Sequence, residues 1–254
     1  MLVGVVIPVY NERVLLPRLL ERLDATPRPL MPDGSPATRH IFLVDDGSTD
    51  GTVDLLPDYD QREDVTCLYT DKNRGKGSAL RRGFAAALDK GCDAVIVQDA
   101  DLEYNPADQA TALAPILDGQ ADAVIGTRFL GESHRVLYYW HSVVNKGITA
   151  LSNMLSNLNL TDIECGTKAF THRVLAEITP KLREDRFGIE PELIARLARL
   201  RLPPADAADQ PARPIRIFEV PISYAGRTYE EGKKIGWRDG LEAVRCIVHH
   251  NFLA

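Results

Sequence analysis

Residues 2–23 read LVGVVIPVYNERVLLPRLLERL, an apolar run that passes through a short polar turn into an amphipathic segment. The run at 2–8 is rich in valine and too short for a helix, which is typical of a buried strand. In residues 14–23 the leucines recur at helical spacing, while arginine and glutamate fill the opposite face. This stretch therefore predicts one strand-and-helix unit of an α/β protein.

The same alternation continues along the chain and predicts a mainly parallel sheet. Short apolar runs predict further strands at residues 40–44, 65–69, 94–97, 123–125 and 214–221. Amphipathic stretches predict helices at residues 14–23, 52–56, 77–88, 106–117, 141–158 and 191–201. Asn105 before Pro106 is the usual order of an N-cap and a first helical residue. Strands that alternate with helices in this way require right-handed crossovers, so we expect helices on both faces of the sheet.

Composition places the chain among ordinary globular proteins. Its 254 residues are 44% hydrophobic and 26% charged, which suits one large domain and excludes disorder, collagen and coiled coil. We expect no transmembrane helix, because no apolar run reaches 18 residues, and no signal peptide at MLVGVVIPVYNE. The cysteines lie far apart with no C-x-x-C pair, which disfavours a disulfide framework or a zinc site and favours a reducing cytoplasm. They are Cys67, Cys92, Cys165 and Cys246.

Charge is distributed in alternating blocks. The net charge of −6 argues against a nucleic-acid partner. Residues 41–64 carry eight acids against one base, and residues 93–118 carry six acids with no Lys or Arg. Between these blocks, residues 72–82 carry five basic side chains. Such blocks suit a metal ion together with a phosphorylated ligand, although solvated helix faces produce the same pattern.

Acidic side chains follow three of the predicted strands. In an open parallel sheet, ligands bind beyond the carboxyl ends of the strands, at the point where the strand order reverses. The residues there are PVYNE at 8–12, DDGSTDGT at 45–52 and DADLE at 99–103. Neighbouring carboxylates repel one another unless a cation or a donor-rich ligand lies among them. In the second motif, Asp50 or Thr49 can simply cap a helix. In the third motif capping would need only one carboxylate, and the turn contains both Asp99 and Asp101, so this pair predicts a ligand or metal site.

An ordered series of motifs resembles glycosyltransferase family 2. The series is PVYNE, VDDGSTDGT, NRGKGSALRRG, QDADLEY and GTRFL. Similarity to the polyprenyl-phosphate (dolichol-phosphate) sugar synthases of that family continues through CGTKAF, FGIEPELIARL and GRTYEEGKKIGW, to about residue 240. The resemblance implies a GT-A fold, a Rossmann-like single domain that binds a nucleotide-sugar. We assign this domain to residues 1–235 and a C-terminal amphipathic helix to residues 236–254.

The resemblance also implies which residues bind the donor. The base and ribose are expected to contact the first two strand ends, at Pro8, Tyr10, Glu12, Asp45 and Asp46. Lys76 is expected to approach the nucleotide or its phosphates.

A metal ion is the implied cofactor. Asp99 and Asp101 form the family's DxD pair, and Glu103 is a further oxygen ligand. Independently of the resemblance, an oxygen-only ligand set suits Mg²⁺ or Mn²⁺, and a divalent ion stabilises the charge that develops on a diphosphate leaving group.

The acceptor site is implied in the second half of the chain. Arg128 in GTRFL is expected beside the sugar and the acceptor, and Lys168 in CGTKAF and Arg227 in RTYEEGKK are expected to handle phosphates. The implied reaction moves a hexose, with inversion, from a donor of the UDP-glucose or GDP-mannose type to a polyprenyl phosphate. That acceptor needs cations rather than a base, because a phosphate monoester is already ionised near neutral pH.

Several alternatives stay open. A hydroxyl acceptor would need a carboxylate base, for which Asp162 and Glu164 are the candidates. CGTKAF replaces the SGF-type sequence of many relatives, and this departure leaves the donor sugar and the acceptor open. An inactive nucleotide-sugar-binding module is disfavoured by the intact DxD pair. A Rossmann dehydrogenase is disfavoured because PVYNE occupies the turn where G-x-G-x-x-G is required.

The C-terminal segment permits two interpretations. Leu241, Val244, Ile247 and Val248 are predicted to share one helical face. Such a helix can lie in a membrane interface, which would give peripheral membrane contact, or it can pack on the domain.

Overall fold

The structure, a computed structural model, describes residues 1–131, 139–205, 207, 209–226 and 237–252. Its strands are β1 (Leu2–Val9), β2 (Thr38–Asp45), β3 (Val65–Tyr69), β4 (Ala94–Val97), β5 (Ala123–Thr127), β6 (Lys168–Thr171), β7 (Arg201–Leu202), β8 (Arg213–Pro214) and β9 (Ile217–Pro221). Its helices are α1 (Leu15–Ala25), α2 (Leu56–Asp60), α3 (Lys76–Asp89), α4 (Gln109–Leu117), α5 (Tyr139–Ser156), α6 (His172–Ile178), α7 (Ile189–Arg199) and α8 (Trp237–Phe252). Single 3-10 turns lie at Val53–Leu55, Pro106–Asp108 and Thr179–Lys181.

The central sheet has seven strands in the order β3-β2-β1-β4-β6-β5-β9. Strand β6 runs antiparallel to both of its neighbours, and the other neighbouring pairs are parallel. Val9 pairs with Asp45, and Asp45 pairs with Tyr69, so the first three strands end level with one another. The strand order reverses between β1 and β4, which is where a doubly wound sheet opens a ligand crevice.

The two faces of the sheet are buried by different helices. Val5 and Ile7 of β1 pack with the leucines of α1 and with α4, whereas Val6 packs on the opposite face with α3, α7 and α8. Alternate strand residues point to opposite faces, so a strand buried on both faces is apolar throughout. Gly83 lets α3 approach β1 closely, because a Cβ atom there would lie 2.3 Å from Val6 Cγ1.

The predicted order of strands and helices in the first half of the chain is confirmed, as is the mainly parallel sheet. Asn105 caps as predicted, since its side-chain oxygen accepts a hydrogen bond from the Ala107 N–H at 3.1 Å. The predicted helix at 52–56 is instead a 3-10 turn followed by α2. Strand β6 was not predicted, because four residues beginning with a lysine do not form a recognisable apolar run.

The C-terminal helix α8 packs on α5 and α7. Ala243, Cys246 and Ile247 are buried against the domain, while Leu241 and Val244 remain exposed. The prediction that Leu241 and Ile247 share one face is therefore wrong. The helix has two apolar faces, and the face that contains Ile247 is covered by the domain. Within the described ranges, every helix is too short or too polar to cross a bilayer. All four cysteines are buried as free thiols.

Candidate active site

A cavity of about 970 Å³ opens at the carboxyl ends of β1, β2 and β4. It is lined by side chains from each of the three predicted strand-end motifs, including Tyr10, Asp46 and Asp101. The prediction that these motifs converge is therefore confirmed by the strand order.

The first two motifs brace each other beside this cavity. Asn11 has a φ of +53°, and its side-chain oxygen accepts a hydrogen bond from the Thr49 N–H at 2.7 Å. The Asn11 N–H donates to Ser48 Oγ at 3.0 Å, and the Glu12 N–H donates to Thr52 Oγ1 at 3.0 Å. These bonds tie the turn after β1 to the turn after β2. Pro8, Tyr10 and Glu12, which the resemblance assigns to the nucleoside, line the cavity.

The two acids at the end of β2, Asp45 and Asp46, have different positions. Asp46 lines the cavity, and its carboxylate accepts hydrogen bonds from the N–H groups of Arg74 at 3.0 Å and Gly75 at 2.6 Å. Burial nevertheless raises the pKa of Asp46. Asp45 is buried and accepts from the N–H groups of Gly47 and Ser48, which close its own turn. The predicted nucleoside contact therefore fits Asp46, whereas Asp45 stabilises the turn.

Four alternating charges lie at the cavity wall: Asp99, Lys76 and Glu190 line the cavity, and Lys168 lies behind Glu190. The Lys76 ammonium is 2.8 Å from Asp99 Oδ1 and 2.9 Å from Glu190 Oε1. The other oxygen of Glu190 is paired with Lys168. Burial opposes the charge on Glu190, but the ammonium groups of Lys168 and Lys76 hold the pKa of that carboxyl below its ordinary value. The four groups form a neutral network in which each buried charge has an opposite neighbour.

The position of Lys168 corrects a prediction. Its side chain is 1% exposed. Its ammonium contacts Glu190 and the carbonyl oxygens of Ile163 and Cys165, which occupies all three of its N–H donors. A lysine so placed cannot reach an acceptor phosphate in the cavity. Lys168 is therefore a positioning residue that holds Glu190.

Gly166 makes room for the charged network. A Cβ atom at this position would lie 2.3 Å from Asp99 Oδ2 and 3.1 Å from Lys76 Nζ. The Gly166 N–H donates to the Tyr104 hydroxyl at 3.0 Å, which fixes the backbone at this distance. Sequence reasoning missed Gly166 and Glu190 as site residues, although both lie in motifs that carry the resemblance. Their partners are distant in sequence, and motif spacing does not reveal such contacts.

The predicted metal ligands line the cavity but are not clustered as three carboxylates. Asp101 Oδ1 accepts the Glu103 N–H at 3.1 Å, and Glu103 Oε2 accepts the Tyr224 hydroxyl at 2.7 Å. Among the residues that the structure describes, no three His, Cys, Asp or Glu side chains are grouped to hold a metal ion. Asp99 and Asp101 are still a suitable oxygen donor pair, because Mg²⁺ is commonly bound by one or two carboxylates with substrate phosphates and water completing the shell.

Leu102 turns the chain between these acids. Its φ of +61° is uncommon for a leucine and costs conformational free energy. With the backbone in this conformation, Asp101 and Glu103 both line the cavity.

Arg128, which the resemblance assigns to the sugar and the acceptor, lies in the cavity wall. Its guanidinium binds Asp162 through two bonds, Nε to Oδ2 at 2.6 Å and Nη2 to Oδ1 at 2.7 Å, and lies 5.1 Å from the centre of the Tyr224 ring. Asp162 is fully buried and also accepts from Asn145 Nδ2 at 3.2 Å. Asp162 is thus engaged in holding Arg128 and is not placed to act as a general base.

Glu164 is the other carboxylate considered as a base, and it does line the cavity. Its Oε1 atom is buried and has no hydrogen-bond partner in the described structure. Burial, together with the nearby charge of Glu190, raises the pKa of Glu164 to about 7. This carboxyl therefore changes charge close to neutral pH.

The part of the cavity wall formed by α5 and α8 is mainly apolar, with His141 and Asn145 of α5 as polar members. Its apolar members are Trp140, Val144 and Ile148 of α5, together with Leu241 and Val244 of α8. The cavity therefore joins a polar half at the strand ends to an apolar half between two helices. The predicted phosphate-handling residue Arg227, together with Lys233 and Lys234 of the same motif, lies outside the described residues.

Comparison with known proteins shows the family of this chain. Residues 4–179 match the family model for glycosyl transferase family 2. The chain is 30% identical over 236 residues to the undecaprenyl-phosphate mannosyltransferase of Micrococcus luteus, covering 91% of this chain and 86% of that protein. It is 32% identical over 181 residues to the polyprenol monophosphomannose synthase of Mycolicibacterium smegmatis, covering 68% and 63% of the two chains.

A solved structure has the same fold. Glucosyl-3-phosphoglycerate synthase from Mycobacterium tuberculosis, in complex with Mn²⁺, UDP and phosphoglyceric acid, superimposes with a TM-score of 0.67 at 17% identity. The match covers 99% of this chain and 79% of that one. The predicted GT-A architecture is thereby confirmed.

Proposed function

Since this chain belongs to glycosyl transferase family 2 and is a glycosyltransferase, we propose that it transfers a hexose from a nucleotide-sugar to a polyprenyl phosphate. The observation that carries the proposal is the divided cavity, which is acidic and basic at the strand ends and apolar between α5 and α8. A nucleoside diphosphate suits the first half, and an isoprenoid chain suits the second. The polyprenyl-phosphate acceptors in the names of two relatives support the same acceptor class.

The donor would occupy the polar half. Tyr10, Glu12 and Asp46 line it and offer an aromatic ring and carboxylates to a base and a ribose. The donor is proposed to be of the UDP-glucose or GDP-mannose type.

Asp99 and Asp101 would hold Mg²⁺ or Mn²⁺ beside the donor diphosphate. When bound, the ion supplies charge neutralisation for the departing nucleoside diphosphate. Glu103, which bonds Tyr224, remains a proposed additional ligand.

The reaction would be a single displacement with inversion. An anionic oxygen of the acceptor phosphate attacks the anomeric carbon, the bond from that carbon to the donor diphosphate oxygen breaks, and the nucleoside diphosphate leaves with the electron pair. No proton has to be removed from the acceptor, because its second pKa is about 6. Arg128, which is paired with buried Asp162, is proposed to orient that phosphate, and Arg227 is proposed as a second cation.

A second candidate is transfer to a hydroxyl acceptor. It is favoured by one observation, the unpartnered oxygen of Glu164 in the cavity wall. With a pKa of about 7, Glu164 is matched to accept a proton from a hydroxyl near neutral pH.

The test is incubation of the protein with labelled UDP-glucose or GDP-mannose, Mn²⁺ and undecaprenyl phosphate. We expect a labelled lipid that partitions into butanol and is absent with Asp101→Ala. Failure of every hexose donor to label the lipid would overturn the proposal, and a labelled water-soluble glycoside would support the hydroxyl acceptor. A lipid acceptor implies a peripheral location on the cytoplasmic membrane face.

A further inference from the structure

Helix α5 has an unusual outer surface. It contains one charged residue, Lys146, and no acid in 18 residues. Trp140 is 72% exposed and Met154 is 78% exposed, and Tyr139, Val143 and Val144 are exposed as well. A surface helix of a globular protein normally places charged and polar residues on its outer face. This helix instead presents a continuous apolar surface.

Helix α8 adds a second apolar stripe. Leu241, Val244, Val248 and Phe252 recur at intervals of three or four residues and are all exposed, Leu241 by 64% and Phe252 by 66%. The packed side of the same helix is formed by other residues, among them Ile247. The exposed stripe is therefore not needed to attach α8 to the domain.

The two stripes join at the mouth of the cavity. A Cβ atom on Gly240 of α8 would lie 3.7 Å from Val144 Cγ1 and 4.0 Å from Ile148 Cδ1, both on α5. Trp140, Val144 and Leu241 line the cavity and are also exposed. The exposed apolar side chains of α5 and α8, here called the apolar helix face, thus continue the apolar half of the cavity outward.

We propose that the apolar helix face docks on the surface of a lipid bilayer. This inference rests on the proposed function, because its rationale is a lipid acceptor. With the face on the bilayer, the hydrocarbon chain of the acceptor passes from the membrane into the cavity without crossing water, which avoids the cost of hydrating it. Contiguous exposed apolar surface of this kind marks an interaction site rather than ordinary protein surface.

Two further observations favour a bilayer as the occupant. Tyr139 and Trp140 pack edge to face at the start of α5, with ring centroids 5.2 Å apart, and both residue types concentrate at membrane–water interfaces. Lys146 on α5 is exposed and can meet anionic headgroups. The face therefore combines apolar area, aromatic rings and basic charge, as interfacial helices do.

The test is flotation of the full chain with vesicles of phosphatidylglycerol and phosphatidylethanolamine. The variant is Val248→Glu with Phe252→Glu, since both side chains are exposed and lie outside the cavity lining. We expect its partition onto vesicles to fall about tenfold or more, because two apolar anchors become charged. The matched control is Leu30→Glu, at a leucine that is 62% exposed in another part of the surface, and it should float like the wild type.

Activity separates this proposal from the proposed function. With farnesyl phosphate in free solution the double variant should match the wild type, and with undecaprenyl phosphate in vesicles it should be slower by about the same factor as its lost binding. Vesicle binding without transfer to either acceptor would contradict the proposed function but would still support membrane docking by the apolar helix face. Equal flotation of variant and wild type would overturn the docking face. So would a wild-type dimer that the variant dissociates, because the face would then be occupied by a second copy.

Discussion

The ammonium of Lys76 lies 2.8 Å from one carboxylate oxygen of Asp99 and 3.0 Å from the other. A positive charge is thus already placed against a carboxylate that is proposed to bind the metal ion. Lys76 keeps Glu190 as a second partner at 2.9 Å, so it can remain paired when a metal ion approaches Asp99. A divalent cation must therefore compete with a built-in ammonium for this site.

Removing that ammonium should destabilise the fold. In Lys76→Met, the largely buried Asp99 loses its ion-pair partner, and we expect the free energy of unfolding to fall by about 3 kcal/mol. Urea unfolding at neutral pH measures this change. Lys72→Met, in the loop that precedes α3, is the matched control, and because Lys72 is exposed its effect should stay within about 0.5 kcal/mol. Equal effects of the two substitutions would show that the buried network does not stabilise the fold.

Metal removal should stop turnover. Chelation with EDTA is expected to reduce hexose transfer by about a hundredfold or more, because the diphosphate leaving group loses its neutralising charge. Addition of Mn²⁺ or Mg²⁺ should restore the rate in the wild type but not in Asp101→Ala. The measurement is the initial rate of label transfer at saturating donor. Full activity in the presence of EDTA would show that the reaction does not need a metal ion.

Position 166 should tolerate no side chain, because a Cβ atom there would collide with Asp99. Gly166→Ala places a methyl group 2.3 Å from Asp99 Oδ2, so either the carboxylate or the backbone must move. We expect kcat/KM to fall at least about tenfold, with a loss of stability of about 1–3 kcal/mol. Gly147→Ala on α5 is the control, since a Cβ there meets nothing within 4 Å. That control should keep the wild-type stability or exceed it.

Glu164 should make stability depend on pH. Burial and the charge of Glu190 raise its pKa from 4.5 to about 7, so folding favours the protonated form. The stability that this form contributes is fully present below pH 4.5 and is lost as the pH rises through 7. We expect Glu164→Gln to match the wild type at pH 4.5 and to exceed it by about 3 kcal/mol at pH 8. Urea unfolding at the two pH values tests this, with exposed Glu63→Gln as a control that shows no such difference.

The same substitution separates the two acceptor classes. With a polyprenyl phosphate as acceptor, the rate of Glu164→Gln should stay within about threefold of the wild-type rate. Above pH 7 the variant should remain active, whereas the ionised Glu164 of the wild type repels the acceptor phosphate. With a hydroxyl acceptor, loss of the base should cost about a hundredfold or more. The pH profile of kcat/KM for the two proteins makes the distinction. A large loss with undecaprenyl phosphate would contradict the base-free mechanism.

Much of the fold could be predicted because its signals are local. Valine-rich runs and helical leucine spacing mark strands and helices within ten residues, and the strand-end acids follow them directly. Strand β6 escaped prediction because it is four residues long and starts with Lys168, whose charge is paired with Glu190, 22 residues away in the sequence. Ile247 was wrongly assigned to the exposed stripe of α8 for a similar reason. The packing of α5 and α7 against α8 decides which apolar face of the helix is covered.

The amino-acid sequence by itself determined the α/β architecture, the strand ends that form the site and the membership of the family. Only the tertiary structure decided that Asp46 faces the cavity while Asp45 closes a turn, that Lys168 supports Glu190 from behind, and that Gly166 makes room for Asp99. The physical reason is the range of the interactions. Hydrophobic periodicity acts between neighbours in the chain, whereas a buried charge takes its role from whichever opposite charge the folded chain brings within 3 Å of it.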